Sequence, residues 1–97
     1  MKPLKFHPYA EEELFGGADF YNHRVSGLGD DFFSIVQEAC KEIQKDPPRR
    51  PLRKDGTRKV KVRRFPYLLI YRDEPFRILI VAVAHGARRP NYWRSRL

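Results

Sequence analysis

The first half of the chain carries apolar residues at the spacing of helices. Two series recur every three or four positions: one is Ala10, Leu14, Ala18, Tyr21 and Val25, and the other is Phe32, Val36, Ala39 and Ile43. Pro8 suits the first turn of a helix, and Pro47-Pro48 ends the second series. Gly27 lies between the series and is a typical helix stop. The pattern predicts a short strand at residues 4–7, followed by an antiparallel helical hairpin.

The second half of the chain changes to the period of strands. After an arginine- and proline-rich loop at residues 49–56, basic residues alternate with Val60 and Val62, as in a half-buried strand. Residues 67–72 and 76–85 are nearly continuous apolar runs, which indicate two longer strands. We expect an α+β fold in one domain, residues 1–97. The helical hairpin should pack on one face of a three- to four-stranded antiparallel sheet, with a short C-terminal helix or tail.

Tight turns set an approximate register for these strands. With Arg63 opposite Tyr67, Lys61 opposite Leu69 and Tyr71 opposite Arg77, one face is wholly apolar and should pack under the helices. Its members are Val60, Val62, Leu68, Ile70, Ile78, Ile80, Ala82 and Ala84. The other face mixes basic and apolar residues: Lys59, Lys61, Arg63, Tyr67, Leu69, Tyr71, Arg77, Leu79, Val81, Val83 and His85. We expect the tail, a partner or both to cover its aliphatic part. A bulge would exchange the faces.

The charge is divided unevenly along the chain. Residues 1–48 contain five basic and nine acidic residues, a net charge of −4, whereas residues 49–97 contain fifteen and three, a net charge of +12. The total of +8 indicates a polyanionic partner: nucleic acid, an acidic protein segment or an acidic membrane surface. Lysines on an edge strand also have a simpler explanation, because they discourage pairing between sheets.

Several classes of protein are disfavoured. The longest apolar run, residues 78–84, is too short to cross a bilayer, and the N-terminus turns acidic too early for a signal peptide. The single cysteine, Cys40, cannot form an internal disulfide, which favours a cytoplasmic location. Cys40 and the three histidines lack the spacing of metal ligands, and no glycine-rich phosphate loop is present. We expect no metal and no cofactor.

Residues suited to phosphate chemistry collect at one end of the predicted sheet. An antiparallel meander should bring Arg63-Arg64 close to His85 and Arg88. Arginines stabilise developing charge on phosphate, and His85 or Tyr92 could transfer protons, so metal-free phosphodiester cleavage is one interpretation. The other interpretation is structural: His85 forms hydrogen bonds at a strand end, while Tyr92 and Trp93 anchor the tail on the sheet.

Several short motifs follow the order of the predicted elements. They are Gly27-Leu28-Gly29, Arg64-Phe65-Pro66-Tyr67, Ile70-Tyr71, Val81-Ala82-Val83-Ala84-His85, Arg88 with Pro90, and Tyr92-Trp93. In this order, over nearly the whole chain, the set resembles the RelE/ParE superfamily of type II toxin–antitoxin toxins. The resemblance implies a small cytoplasmic bacterial toxin that inhibits growth. It also implies a cognate antitoxin, with an acidic or amphipathic segment that covers the functional surface.

The resemblance distinguishes two activities within the superfamily. RelE-like members cut mRNA on the ribosome; Lys59, Lys61 and Tyr92 match their catalytic lysines and tyrosine. Two expected arginines are missing, because Leu68 and Gly86 stand at or near their positions, although Arg88 or Arg89 could replace the second. ParE-like members poison DNA gyrase, and the ending His85-x-x-Arg88-x-Pro90 resembles theirs. The resemblance favours a ParE-like toxin acting on gyrase. The alternatives are a RelE-like ribosome-dependent mRNA endoribonuclease and a non-toxic basic nucleic-acid-binding domain.

Two sets of candidate residues follow. Whether the chain is an enzyme stays open; if it is one, we expect a metal-independent endoribonuclease. The catalytic candidates are Lys59, Lys61, His85, Arg88 and Tyr92. The residues expected to bind the target or the antitoxin are Lys59, Lys61, Arg63, Arg64, Leu69, Arg77, Leu79, Val81, Arg89, Trp93 and Arg94. The expected partners are the antitoxin and either DNA gyrase or the ribosome with mRNA, and no membrane.

Overall fold

The predicted helical hairpin is present in the computed structural model, which describes residues 1–97. Its helices are α1 (Pro8–Arg24) and α2 (Leu28–Lys45). Pro8 lies in the first turn of α1, where a missing N–H leaves no helical hydrogen bond unmade. Gly27 lies between the helices with a φ of 86°, a left-handed conformation that glycine adopts without steric penalty. Neither helix combines the length and the apolar character that crossing a bilayer requires.

Two glycines allow the helices to approach closely. Gly29 of α2 lies against the backbone of α1: a Cβ atom there would be 1.9 Å from the carbonyl oxygen of Ala18. The Gly29 N–H donates a hydrogen bond of 2.7 Å to Oδ1 of Asn22. On α1, a Cβ atom at Gly17 would be 2.9 Å from the Phe32 ring. These two positions therefore set the separation of the helices.

Four strands form the sheet in the order β1-β4-β3-β2. They are β1 (Leu4–Phe6), β2 (Arg58–Lys61), β3 (Tyr67–Asp73) and β4 (Ile78–His85). Strands β2, β3 and β4 form the expected antiparallel meander. Strand β1 instead pairs in parallel with β4, so the sheet is mixed and not purely antiparallel. A parallel pair needs a long connection, and the chain between β1 and β4, which includes both helices, supplies it. The expected α+β architecture is otherwise confirmed.

A bulge in β4 reverses the alternation of its side chains. Ile70 pairs with Ala82, whereas Tyr71 pairs with Ile80 and not with Arg77, so Val81 is an extra residue. Before the bulge, the predicted faces of β4 are correct. Beyond it they are wrong, because one extra residue turns each later side chain to the other face. The residues exchanged in this way are Ala82, Val83 and Ala84.

In β3 the alternation is opposite to the prediction along the whole strand. Lys61 pairs with Leu68 and not with Leu69, and this shift of one residue turns the strand over. The connection to β2 contains Arg64 with a φ of 72°, a conformation that the sequence does not predict. Leu69, expected among the exposed binding residues, is fully buried under the helices. The residues of β3 that change face are Tyr67, Leu68, Leu69, Ile70 and Tyr71.

Apolar layers lie on both faces of the sheet. The layer under the helices has fully buried members from α2 and the strands, including Phe32, Val36, Ile43, Leu69 and Ile80. On the other face, the C-terminal tail (residues 86–97) includes a short 3₁₀ helix, Tyr92–Arg96, which places Trp93 on the sheet. Trp93 is 3% exposed and packs with Ile70, Leu79, Val81, Ala82 and Ala84.

The tail is therefore the cover that the aliphatic part of the second face requires. Leu79 and Val81, expected to bind the target or the antitoxin, are buried in this layer, as is Trp93. Lys59 and Lys61 remain exposed on the edge strand, while Val60 and Val62 point into the core as predicted. The basic and apolar sides of β2 are thus assigned correctly from the sequence.

Candidate functional site

A hollow of about 230 Å³ opens between the tail and the face of the sheet that turns away from the helices. Its floor is aliphatic and consists of Leu68, Ile70 and Ala84. Basic side chains come from four places: the loop before β2, β2 itself, the end of β4 and the start of the tail. They are Arg53, Lys59, His85, Arg88 and Arg89. Tyr92 and Trp93 also contribute to the lining. We call this cavity the basic hollow.

His85 is held in one orientation at the end of β4. Its ring packs edge-on against Tyr67, with 5.0 Å between the ring centroids and 86° between the planes. Its Nδ1 accepts a hydrogen bond of 3.0 Å from the N–H of Ala87. In the neutral ring, this bond leaves the proton on Nε2, which is then a donor. These two contacts fix the orientation of the His85 ring.

Glu13 of α1 ties the tail to the rest of the molecule. Its carboxylate forms a two-pronged ion pair with Arg96, at 2.8 Å to Oε1 and 3.0 Å to Oε2. The hydroxyl of Tyr92 donates a hydrogen bond to Oε2, and the N–H of Val83 donates one of 3.0 Å to Oε1. We call this set the Glu13 anchor. It is a charged cluster largely shielded from water, since the side chains of Glu13 and Arg96 are 14% and 10% exposed.

The Glu13 anchor also completes the backbone hydrogen bonds of β4 at its bulge. Strand β1 ends at Phe6, opposite Ile80, so β4 has no neighbouring strand on that side from Val81 onward. Glu13 accepts from the N–H of Val83, and Arg96 donates a bond of 3.0 Å to the carbonyl oxygen of Val81. Two side chains thus take the place of a strand.

A known protein family has the same sequence pattern over most of this chain. Residues 4–90 match the model of the family described as ParE toxin of type II toxin-antitoxin system, parDE. The chain belongs to this family. The family assignment makes it the toxin of a type II system, with a cognate antitoxin as its partner. The ParE-like branch of the superfamily, favoured from the sequence, is confirmed.

The fold of the toxin is also found among solved structures. A chain of the chromosomal ParDE TA system from P. aeruginosa superposes with a TM-score of 0.77 and 21% sequence identity. The match covers 88% of this chain and 96% of that chain. At this identity the likeness concerns the fold. No curated protein sequence matches the toxin.

Among the catalytic candidates of the toxin, Tyr92 is the one that the Glu13 anchor holds in place. Burial raises the pKa of its hydroxyl well above the usual value, and the hydrogen bond to Glu13 raises it further, while Arg96 and Arg88 act in the opposite direction. The hydroxyl therefore keeps its proton at neutral pH and donates it to Glu13. The guanidinium of Arg88 lies 3.9 Å from the centroid of the Tyr92 ring and restricts its movement further.

The structure brings four of the five catalytic candidates together. Lys59, His85, Arg88 and Tyr92 all line the basic hollow. Lys61 does not: it lines a separate cavity of about 350 Å³ between α2 and β2. No cluster of three or more histidine, cysteine, aspartate or glutamate side chains is placed to hold a metal ion.

The predicted binding residues are spread over several surfaces of the toxin. Lys59 and Arg89 line the basic hollow. Arg63-Arg64, expected beside His85, instead face carboxylates of α2: Arg63 lies 3.4 Å from Glu38, and Arg64 lies 4.0 Å from Asp31. Neither arginine lines the hollow.

The other two basic members of that set form ion pairs. Arg77 precedes β4, at the opposite end of the strand from His85, and lies 2.6 Å from Glu74. Arg94 lies 3.7 Å from Asp55. A hydrogen bond from the Thr57 hydroxyl, with Arg53 and Arg94 nearby, lowers the pKa of Asp55. These contacts leave Arg77 and Arg94 less available to a partner than Lys59 and Arg89.

Three important residues were not found from the sequence: Glu13, Arg53 and Arg96. Glu13 is one of three consecutive glutamates, which indicated a helix N-terminus and nothing more. Its position relative to Ala10, three residues earlier, places it beside the buried stripe of α1, and this spacing was the available signal. Arg53 and Arg96 lie in a loop and a tail, where no periodicity indicates a direction.

Proposed function

We propose that the toxin inhibits bacterial growth by acting on DNA gyrase, and that its cognate antitoxin neutralises it through an acidic or amphipathic segment. The family match over residues 4–90 supports the ParE-like activity. The observation that carries the choice of target is the hydrogen bond from the Tyr92 hydroxyl to Glu13. This bond ties to Glu13 the one tyrosine that matches the catalytic tyrosine of RelE-like toxins.

Other features of the basic hollow also weigh against RelE-like cleavage. Lys61, the second of the two matching lysines, lines a different cavity. Leu68, which occupies the position of an expected arginine, forms part of the aliphatic floor. General acid–base catalysis requires donors and acceptors within hydrogen-bond reach of one reacting group, and these positions do not supply that set. The shared location of Lys59, His85, Arg88 and Tyr92 keeps the ribonuclease as the alternative to be tested.

Electrostatics supports an acidic partner segment. The half of the chain from residue 49 onward has a net charge of +12. Lys59, Lys61 and Arg89 are exposed and form no ion pair with a carboxylate of the toxin. A field of one sign over one surface accelerates association with an oppositely charged segment.

Induction in a bacterium, followed by two biochemical assays, tests this proposal. Expression of the toxin alone should stop growth, and co-expression of the neighbouring reading frame should restore it. Purified toxin should inhibit supercoiling by gyrase, and primer extension should find messages intact. Cleaved messages together with normal supercoiling would establish the ribonuclease instead. The Lys59→Gln variant separates the two further, because a nuclease loses cleavage when a phosphate-contacting lysine is removed.

A further inference from the structure

We propose that the basic hollow is a binding site for single-stranded nucleic acid, which it holds by phosphodiester groups with a base or sugar against the aliphatic floor. This inference goes beyond action on gyrase and does not depend on it. It concerns a site on the toxin itself that would be occupied with no gyrase present.

The first support is that the lining of the hollow carries an excess of positive charge. Its lining contains four lysine or arginine side chains and no aspartate or glutamate. The toxin forms nine ion pairs in all, of which one, between Arg88 and Glu13, involves the hollow; Arg53, Lys59 and Arg89 take part in none of them. The nearest carboxylate oxygen to Arg88 belongs to Glu13, at 3.9 Å, a distance too long for a hydrogen bond. An anionic ligand would supply the missing charge.

The second support is that two guanidinium groups of the hollow are held in place by aromatic rings and form no direct hydrogen bond with a carboxylate. Arg53 lies 5.8 Å from the centroid of the Trp93 ring and donates a hydrogen bond of 3.3 Å to Oδ1 of Asn91. Arg88 lies 3.9 Å from the centroid of the Tyr92 ring. Contact with a ring face fixes an arginine while it leaves N–H donors for phosphate oxygens, and the planar group suits phosphate better than an ammonium does.

The third support is the floor, which selects among anions. An inorganic anion gains no binding energy from contact with an aliphatic surface, whereas a nucleotide can pack its base or sugar against it. The volume of about 230 Å³ and the concave shape suit one unpaired nucleotide. A duplex keeps its bases stacked inside and presents only its backbone, so its bases cannot reach a floor of Leu68, Ile70 and Ala84.

Anisotropy of labelled oligonucleotides provides the test. The probes are oligothymidine DNA, oligouridine RNA and a duplex of equal length, titrated with purified toxin at several salt concentrations. Binding to either single strand supports the site, and the ratio of the two affinities shows whether the sugar contributes. Four phosphate contacts, at roughly 0.7 released counterions each, predict a slope of log K against log salt of about −3.

A pair of matched double variants locates the site. Lys59→Gln with Arg89→Gln removes two charges from the hollow and should lower the magnitude of the slope by about 1.4, equivalent to a roughly 25-fold loss of affinity at about 0.1 M salt. Lys41→Gln with Arg49→Gln removes the same charge from exposed positions outside the hollow and should leave the slope near the original value. Circular dichroism confirms that both variants fold.

Three results would overturn the inference. One is an equal loss in both double variants, which would mean general attraction to a basic surface. Another is tighter binding of the duplex than of either single strand. The third is binding of an acidic peptide, such as polyglutamate, in the hollow with no binding of oligonucleotides. Gyrase enters none of these measurements, so their failure and the failure of the gyrase assay are distinguishable.

Discussion

Glu13 of α1 accepts hydrogen bonds from β4 and from the tail. Its carboxylate joins Arg96, Tyr92 and the backbone of Val83, so it links a helix, a strand and the tail in one charged cluster. A buried ion pair adds little stability compared with apolar packing, but removing one partner leaves the other charge unpaired. The structural cost of losing Glu13 is therefore mainly the cost of leaving Arg96 without a counter-charge.

We expect the Glu13→Gln variant to lose about 3 kcal/mol in free energy of unfolding. The measurement is a urea titration followed by emission of Trp93, the single tryptophan, which should shift to longer wavelength as the tail loosens. Glu12→Gln is the matched control, because Glu12 is exposed and forms no ion pair; it should change stability by less than about 0.5 kcal/mol. Equal urea midpoints for the two variants would contradict the role assigned to the anchor.

Tyr92 should make stability depend on alkaline pH. Its ordinary pKa of 10.0 is raised in the folded chain, first by burial and then by Glu13, so its contribution is complete below pH 10.0 and is lost as pH rises through the folded pKa. Removal of the hydroxyl in Tyr92→Phe should cost about 1 kcal/mol at neutral pH. The difference between the original protein and this variant should shrink above about pH 10 in urea titrations. If the difference in free energy of unfolding stayed constant across pH, Tyr92 would not be buried and protonated as described. Tyr9→Phe, at an exposed position, is the control for the loss of a hydroxyl.

The two helices depend on glycine at one crossing point. At Gly29 a Cβ atom would lie 1.9 Å from a backbone oxygen, and backbone cannot move aside as a flexible side chain can. We expect Gly29→Ala to lower the free energy of unfolding by about 3 kcal/mol through overpacking. Gly16→Ala is the control with the opposite sign: nothing lies within 4 Å of a Cβ atom there, and alanine should stabilise the helix by roughly 0.5–1 kcal/mol. Thermal unfolding by circular dichroism measures both, and a stable Gly29→Ala variant would show that the helices can separate.

Elements in which apolar residues recur at a regular spacing were predictable from the sequence. Features that leave no trace in that spacing were not. The helices follow from regular apolar spacing with proline and glycine at their ends. The bulge at Val81 lies in a run of apolar residues in which every position looks alike, so the sequence contains no mark of the extra residue. Strand β1 has three residues, too few to indicate whether its partner is parallel. The face of β3 depended on the turn at Arg64, whose φ of 72° no local motif indicates.

The composition of the candidate site was easier to predict than its arrangement. A basic cluster at the end of the sheet followed from the antiparallel meander, and His85 and Arg88 are part of it. Arg63-Arg64 were expected there as well, but they lie beside carboxylates of α2 instead. Pairing of that kind depends on which residues meet across elements, and spacing along one chain does not determine it. The sequence did indicate that the tail could cover this face through Tyr92 and Trp93, but it did not indicate which other tail side chains line the hollow.

The C-terminal tail contributes to the hydrophobic core of the molecule through Trp93. With 97 residues, the helices can cover only one face of the sheet, and the tail provides the second apolar layer. We expect Trp93→Ala to lower the free energy of unfolding by about 4 kcal/mol and to increase binding of a hydrophobic dye, because the aliphatic strip would be exposed. Leu97→Ala, in the same tail but 41% exposed, is the control and should have little effect. Unchanged dye binding in Trp93→Ala would mean that another segment covers the strip.

One side of the basic hollow is the docked tail, and the other is the sheet. Only molecules with a docked tail can therefore offer the complete cavity, and the measured affinity of any ligand equals the intrinsic affinity multiplied by the fraction in that state. Glu13 lies outside the lining of the hollow, but its bonds to the tail stabilise the docked state. A substitution of Glu13 in the first helix should therefore weaken binding in the hollow, and a bound ligand should in turn slow proteolysis of the tail.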